Sequence, residues 1–172
     1  MKTAYIVAHK NFRDEEYFIP KEILEGVGIT VDTFSDESGE ARGTEGGVAS
    51  VEILNNINPN DYEAIIIAGG EGAIKYLNND EVKSLLNEFY QRGKLVAAIC
   101  ISPIILAEAG LLKDKKATVW SSGMNKSAVK KLKNKGVNYI DKQVVADGRI
   151  ITANGPEAAK EFGRRIAINL KS

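Results

Sequence analysis

The chain contains a single cysteine, and the residues around it are typical of a reactive position. Cys100 follows an apolar run at residues 95–99 and comes just before Pro103. Small residues two positions before and after it, Ala98 and Ser102, permit a tight strand-to-helix turn, as in the hydrolase pattern G-x-S-x-G with Cys in place of Ser. At such a turn the thiol lies over a helix N-terminus, which lowers its pKa. The spacing predicts a nucleophilic thiolate, and it fits equally well a small apolar residue that ends a core strand.

Two glycines follow another apolar run and are candidates for binding an oxyanion. Gly69 and Gly70 come directly after residues 64–68. Glycine permits a sharp turn that aims backbone N–H groups into a crevice, where they can stabilise developing negative charge facing the sulfur. Together with the N–H of Ile101, which follows the nucleophile, Gly69 and Gly70 form the predicted oxyanion-binding group. A plain turn is the alternative interpretation of the two glycines.

Three further residues are candidates for the wall of the site. Ligands of an open parallel sheet bind beyond the carboxyl ends of its strands. His9 and Ser102 come after predicted strands, and Trp120 ends one. His9 is a possible base if the loop after it folds inward, and a surface histidine is the alternative. One cysteine and one histidine cannot supply the four nitrogen and sulfur ligands of a structural zinc, so we predict no metal, no cofactor and no disulfide.

The elements that position these residues alternate between apolar strands and amphipathic helices. This alternation predicts an α/β fold with a mainly parallel central sheet. The predicted strands cover residues 4–8, 29–34, 64–68, 95–99, 117–120, 139–145 and 149–153. The predicted helices cover residues 14–26, 80–92, 102–109, 125–135 and 156–170. The glycine-rich stretch 35–47 is predicted to be a long surface loop at an interface or over the site, with an added strand near 48–51.

Composition indicates one compact domain, residues 1–172, and excludes several classes of partner. Of its 172 residues 44% are hydrophobic and 27% charged, as in ordinary globular domains. Lys+Arg 23 balance Asp+Glu 23, so no net charge attracts nucleic acid or anionic lipid. The lysine-rich stretch 126–135 lacks interleaved aromatic residues and is typical of a solvated helix face. With no targeting segment and no apolar run of about 18–20 residues, we expect a cytoplasmic protein without membrane or nucleic-acid partners.

The order of these motifs resembles the ThiJ/PfpI superfamily, which includes the Parkinson-disease-associated protein deglycase and the PfpI-like proteins. The resemblance rests on Ala68-Gly69-Gly70, on Ala97-Ala98-Ile99-Cys100 with Pro103, on Glu16 before Ile19-Pro20, and on residues 147–156. It implies a flavodoxin-like three-layer sandwich, usually a homodimer or higher homo-oligomer. In it Cys100 is the elbow cysteine, Glu16 the acid that contacts it and Gly70 the oxyanion-side glycine.

The pairing of Glu16 with Cys100 requires a proton. A carboxylate beside a thiolate is repulsive, so this role needs Glu16 to be protonated and to donate a hydrogen bond to the sulfur. Without the resemblance, Glu16 fits a solvated position in the first turn of a helix.

Three departures from the superfamily bear on activity. Ile101 stands where its intracellular peptidases carry His, and Trp120 stands where its deglycases place one. Asn154 stands where many members carry Arg. The resemblance implies a cofactor-independent glyoxalase- or deglycase-like enzyme in which Cys100 and Glu16 act on small α-oxoaldehydes such as methylglyoxal or on their glycation adducts. Two alternatives are a redox-responsive or chaperone-like protein of oxidative stress whose Cys100 is oxidised, and a cysteine peptidase, which the missing His disfavours.

Overall fold

The computed structural model describes residues 1–172 and is built around a nine-stranded sheet. The strands are β1 (Lys2–Ile6), β2 (Lys10–Phe12), β3 (Thr30–Ser35), β4 (Gly39–Gly43), β5 (Val48–Ile53), β6 (Ala64–Ile67), β7 (Leu95–Ile99), β8 (Lys116–Ala117), β9 (Asn138–Tyr139), β10 (Val144–Asp147) and β11 (Ile150–Ala153). The helices are α1 (Asp14–Gly26), α2 (Asp80–Gln91), α3 (Pro103–Glu108), α4 (Ser127–Asn134) and α5 (Ala159–Lys171). The order across the sheet is β10-β11-β7-β6-β1-β3-β5-β4-β2, and β8 pairs only with β9.

The centre of the sheet is parallel, which confirms the predicted fold class. β1 pairs in parallel with β3 on one side and with β6 on the other, and β7 lies in parallel between β6 and β11. Only the β4–β5 and β10–β11 pairs are antiparallel. The carboxyl ends of β1, β3, β6 and β7 therefore meet at one edge of the sheet, which is where an α/β fold places its ligands.

Two apolar layers cover the faces of the sheet and complete the three-layer sandwich. Side chains alternate along β1, so that Ala4 and Ile6 pack beneath α2, α3 and α4, whereas Tyr5 and Val7 pack beneath α1 and α5. Every residue of β6 and β7 is buried, as expected of central strands covered on both faces. The uninterrupted apolar runs that predicted these two strands reflect this double coverage.

The largest differences from the predicted elements lie at the edges of the sheet. The predicted loop 35–47 contains β4, which forms a hairpin with β5 and also pairs with the short strand β2. Ala41 is the only buried residue of β4, so this strand lacks the apolar pattern that identifies core strands. The predicted strands 117–120 and 139–145 are reduced to the two-residue strands β8 and β9, with β10 starting afterwards at Val144. No helix is both long and apolar enough to cross a membrane.

Candidate active site

Cys100 lies at a sharp turn between β7 and α3. Its backbone φ is 64°, in the left-handed region that non-glycine residues rarely adopt. The turn is held by backbone hydrogen bonds in which the N–H of Cys100 donates to Ala153 O at 2.9 Å and the N–H of Trp120 donates to Cys100 O at 2.8 Å. Strained backbone at the carboxyl end of a strand, where an α/β fold binds its ligands, is typical of functional sites. The predicted elbow is therefore present, and Cys100 is half-buried there.

Glu16 of α1 is buried beside this thiol. Its side chain has no exposed surface, and its Oε2 accepts a hydrogen bond from the N–H of Gly69 at 2.9 Å. Its Oε1 is buried without a hydrogen-bond partner, and the carboxyl group lies beside the thiol of Cys100. The hydroxyl of Tyr5 donates to the backbone oxygen of Glu16 at 2.5 Å, which fixes this turn of α1 against the sheet. The structure thus places Glu16 in the core and not on a solvated first turn.

Backbone N–H groups surround the sulfur on its other side. The N–H groups of Gly70 and Ile101 lie near enough to the sulfur of Cys100 to favour its charged form, whereas the N–H of Gly69 donates to Glu16. Gly69 is therefore wrong as a predicted oxyanion-binding residue, because its only backbone donor is already engaged. Gly70 has a φ of +100°, and a Cβ there would lie 2.5 Å from Asn11 O, so this turn requires glycine.

Burial and mutual repulsion set the proton affinity of the pair. Burial raises the pKa of Glu16 to about 7, although its hydrogen bonds to Cys100 and Gly69 act in the opposite direction. Burial also raises the pKa of Cys100, the negative charge of Glu16 raises it further, and the N–H groups of Gly70 and Ile101 lower it. The prediction that the helix N-terminus lowers the pKa of Cys100 is wrong, because burial and the charge of Glu16 together outweigh the backbone N–H groups. A thiolate becomes accessible when the proton lies on Glu16, because the carboxyl group then donates to the sulfur.

This buried carboxyl group has a consequence for stability. Because its folded-state pKa lies above the usual 4.5, Glu16 stabilises the fold fully below about pH 4.5, and that stability is lost as the pH rises through about 7. The uncharged amide of Glu16→Gln does not ionise, so the variant should not lose stability as the pH rises. At pH 8 its free energy of unfolding should exceed that of the wild type by up to about 3 kcal/mol. Urea unfolding at pH 5 and pH 8 measures the difference. An identical pH dependence in the two proteins would contradict the assigned pKa.

A cavity of about 920 Å³ opens onto Cys100, and the buried Glu16 is among the residues that form its wall. The lining includes Gly70 and Ile101, which are predicted to bind an oxyanion, and Trp120, which is predicted for the wall. Several lining residues were not predicted; they are Arg13, Thr44, Glu71, Ile74, Ile104, Ser127, Lys131 and Pro156. Arg13 is paired with Glu15 at 2.9 Å, whereas Lys131 adds a cation from the helix predicted to be only a solvated face. The cavity therefore contains one nucleophile and one buried acid in its lining, and the rest of its wall is partly polar and partly apolar.

Two of the residues predicted for the wall lie elsewhere. The hydroxyl of Ser102 is buried and donates to Ala68 O at 2.7 Å, so it tethers the elbow to the end of β6. His9 does not line the cavity, because its ring is bound by Asp36 at 2.5 Å and lies against Tyr76. Both predictions fail because sequence position places a residue at the correct edge of the sheet but does not say which side its side chain faces.

Comparison with known proteins gives the same fold and related sequences. Residues 2–168 match the DJ-1/PfpI family. The chain is 44% identical to an uncharacterized protein, MJ0967, of Methanocaldococcus jannaschii over 96% of its own length and 80% of that protein's. It is 31% identical to deglycase PfpI of Pyrococcus furiosus, with 91% of each chain covered. The crystal structure of a ThiJ/PfpI domain protein from Brachyspira murdochii superimposes with a TM-score of 0.93 at 30% identity, covering 99% of this chain and 96% of the other.

Proposed function

The chain belongs to the DJ-1/PfpI family, and from this premise we propose that it is a cofactor-independent enzyme whose Cys100 attacks small α-oxoaldehydes or their glycation adducts. One observation carries the proposal. The Oε1 of Glu16 is buried beside the Cys100 thiol without a hydrogen-bond partner, and Cys100 lines an open cavity. A buried carboxyl oxygen without a partner is costly to keep, so its position next to the only cysteine indicates a role in proton transfer.

The first step on methylglyoxal uses the pair directly. The thiol proton moves to Glu16, and the thiolate adds to the aldehyde carbon to form a hemithioacetal. The aldehyde oxygen takes up a proton from Glu16 as the C–S bond forms. The N–H groups of Gly70 and Ile101, which face the sulfur, stabilise negative charge on the thiolate and on the developing oxyanion.

The remaining steps need only a movable proton and water. Glu16, now ionised, takes the proton from the former aldehyde carbon to give an enediolate. It returns this proton to the neighbouring carbon, while the hydroxyl proton of the first carbon passes to the oxygen of the second. The product is a thioester of lactate on Cys100, and water cleaves the C–S bond to release lactate and the thiol. The net reaction adds one water to methylglyoxal and needs no oxidant or reductant.

The size of the cavity extends the proposal to glycation adducts. A volume of about 920 Å³ is far larger than methylglyoxal requires and lies within the range of pockets for drug-sized ligands. An oxoaldehyde still attached to an amine or thiol side chain would therefore fit, and its cleavage would use the same nucleophile and acid. The relative from Pyrococcus furiosus carries the name deglycase, which supports this extension.

A redox-responsive role is a second candidate that the same geometry favours. A half-buried cysteine that lines the cavity beside a buried carboxyl group and two N–H donors can hold the oxygens of a sulfinic acid. This role needs no turnover and no histidine. Intact-mass spectrometry after mild peroxide tests it: two added oxygens on Cys100 at full occupancy support this role, whereas an unmodified thiol rules it out.

A peptidase has less support in the geometry. The cavity contains no histidine, and the single His9 is held by Asp36 away from the cavity. Cysteine peptidases rely on a nearby base to activate the thiol and then to protonate the leaving amine. Glu16 is the only buried acid–base group beside Cys100. A single carboxyl group of this kind is better suited to moving protons on carbon and oxygen than to protonating a leaving amine.

The test of the proposed enzyme is the identity of its product. Purified protein is incubated with methylglyoxal without glutathione or any cofactor, and lactate is quantified together with aldehyde loss. Lactate in an amount equal to the aldehyde consumed is expected. Loss of aldehyde without lactate would mean that surface lysine and arginine side chains merely form adducts, and it would contradict the proposal.

A further inference from the structure

A second group of chemically active side chains lies at the same edge of the sheet, outside the cavity of Cys100. His9 follows β1, and Asp36 and Glu37 follow β3, the neighbouring parallel strand. The side chain of His9 is 9% exposed, and those of Asp36 and Glu37 are 18% and 68% exposed. One ligand atom from each of the three residues lies within 4.8 Å of the others. The proposed enzymatic reaction uses none of these residues.

Asp36 determines which nitrogen of His9 is free. Its Oδ1 accepts from the backbone N–H of His9 at 2.9 Å and from the hydroxyl of Ser35 at 3.1 Å. Its Oδ2 lies 2.5 Å from Nδ1 of the His9 ring. A carboxylate in this position takes the Nδ1 proton as its hydrogen bond, so the neutral ring has its lone pair on Nε2. The ring of Tyr76, 4.4 Å away between centroids, holds the imidazole in this orientation.

The free nitrogen faces a second carboxylate. Nε2 lies 3.4 Å from Oε1 of Glu37, and no hydrogen bond to Nε2 is formed by any side chain or backbone group of the protein. In the neutral ring, two electron-rich atoms then face each other, which is unfavourable unless a positive charge lies between them. Two ligands bound to one zinc ion at 2.0–2.1 Å in tetrahedral geometry are about 3.4 Å apart. The observed separation equals that value.

We propose that His9 Nε2 and Glu37 bind a divalent transition-metal ion of the zinc type. Asp36 orients the imidazole ring by accepting the hydrogen bond from its Nδ1. A carboxylate that accepts the second ring N–H is the usual partner of a histidine that binds a metal. One nitrogen and one carboxylate oxygen suit zinc, and the two remaining positions take water. The absence of four nitrogen and sulfur ligands excludes a closed structural zinc but does not exclude an open, exchangeable site of this kind.

Zinc titration by calorimetry tests the site in the full-length Cys100→Ser variant, in which the thiol no longer competes for the metal. One saturable site is expected. His9→Gln and Glu37→Gln should each abolish it, Asp36→Asn should weaken it by about 10–100-fold, and the exposed control Glu40→Gln should retain it. Glu37 is a surface residue, so its replacement tests the site even if His9→Gln fails to fold. Absence of binding at about 1 mM zinc, or unchanged binding after Glu37→Gln, would overturn the proposal.

Imidazole NMR provides an independent readout, because the chain has one histidine and its ring signals need no assignment. Zinc is expected to shift the Nε2 resonance while Nδ1 keeps its proton. A ring with protons on both nitrogens that does not respond to zinc would show a simple ion pair with Asp36 and Glu37, and would refute the metal site. Lactate formation in the wild type is measured separately, so the metal site and the proposed enzymatic function can fail independently.

Discussion

Cys100→Ser is expected to reduce lactate formation from methylglyoxal to the rate in buffer, a loss of at least about 10³-fold. The serine hydroxyl is a much weaker acid than a thiol, and Glu16, whose pKa is about 7, cannot remove its proton to a useful extent. The change is nearly isosteric, so the elbow and its backbone hydrogen bonds should persist. Lactate production by matched amounts of the two proteins measures the effect.

The control for this variant is the fold itself. Unfolding temperature and circular dichroism should match those of the wild type, and Cys100→Ala should be equally inactive. Lactate formation that survives either substitution would eliminate the covalent mechanism, because the chain has no second cysteine to replace Cys100.

Glu16→Gln is expected to lower lactate formation by about 10²–10⁴-fold while Cys100 remains open to alkylation. The amide keeps the volume of the side chain, and its oxygen can still accept the hydrogen bond from Gly69, but it can neither take a proton from carbon nor return one. Removing the negative charge also relieves the repulsion that raises the pKa of Cys100. Turnover should therefore fall although the thiol does not become less reactive.

Glu22→Gln is the matched control for this variant, since Glu22 is exposed on the same helix and does not line the cavity. It should leave both lactate formation and alkylation unchanged. Undiminished lactate formation in Glu16→Gln would remove Glu16 from the mechanism. A parallel loss of turnover and alkylation would show instead that the substitution distorts the elbow.

The sequence predicts the central part of the fold and the core of the site. Residues 64–68 and 95–99 are buried on both faces, and such strands show as uninterrupted apolar runs. The small neighbours of Cys100 and the pair Gly69-Gly70 follow from the lack of space at the turn, where a Cβ on Gly69 would overlap with Glu16 and Cys100. Local patterns suffice here because local packing decides the structure.

Features that depend on distant parts of the chain could not be predicted in the same way. The edge strand β4 is mostly exposed, so its sequence lacks the alternation of apolar residues that would have predicted its pairing with β2 and β5. Thr44 and Lys131 reach the cavity from the hairpin and from α4, and neither has a motif that identifies it. The position of His9 after β1 predicts a place at the cavity, yet Asp36, which follows β3, holds its ring elsewhere.

The central physical claim is that Cys100 and Glu16 share one proton, and the pH dependence of Cys100 alkylation by iodoacetamide tests it most directly. For the wild type, the rate should rise as the first proton leaves the pair, level off while one proton is shared, and rise again at higher pH. Glu16→Gln should instead show a single ionisation. The same single ionisation in both proteins would mean that Glu16 does not control the thiol, and it would contradict the account.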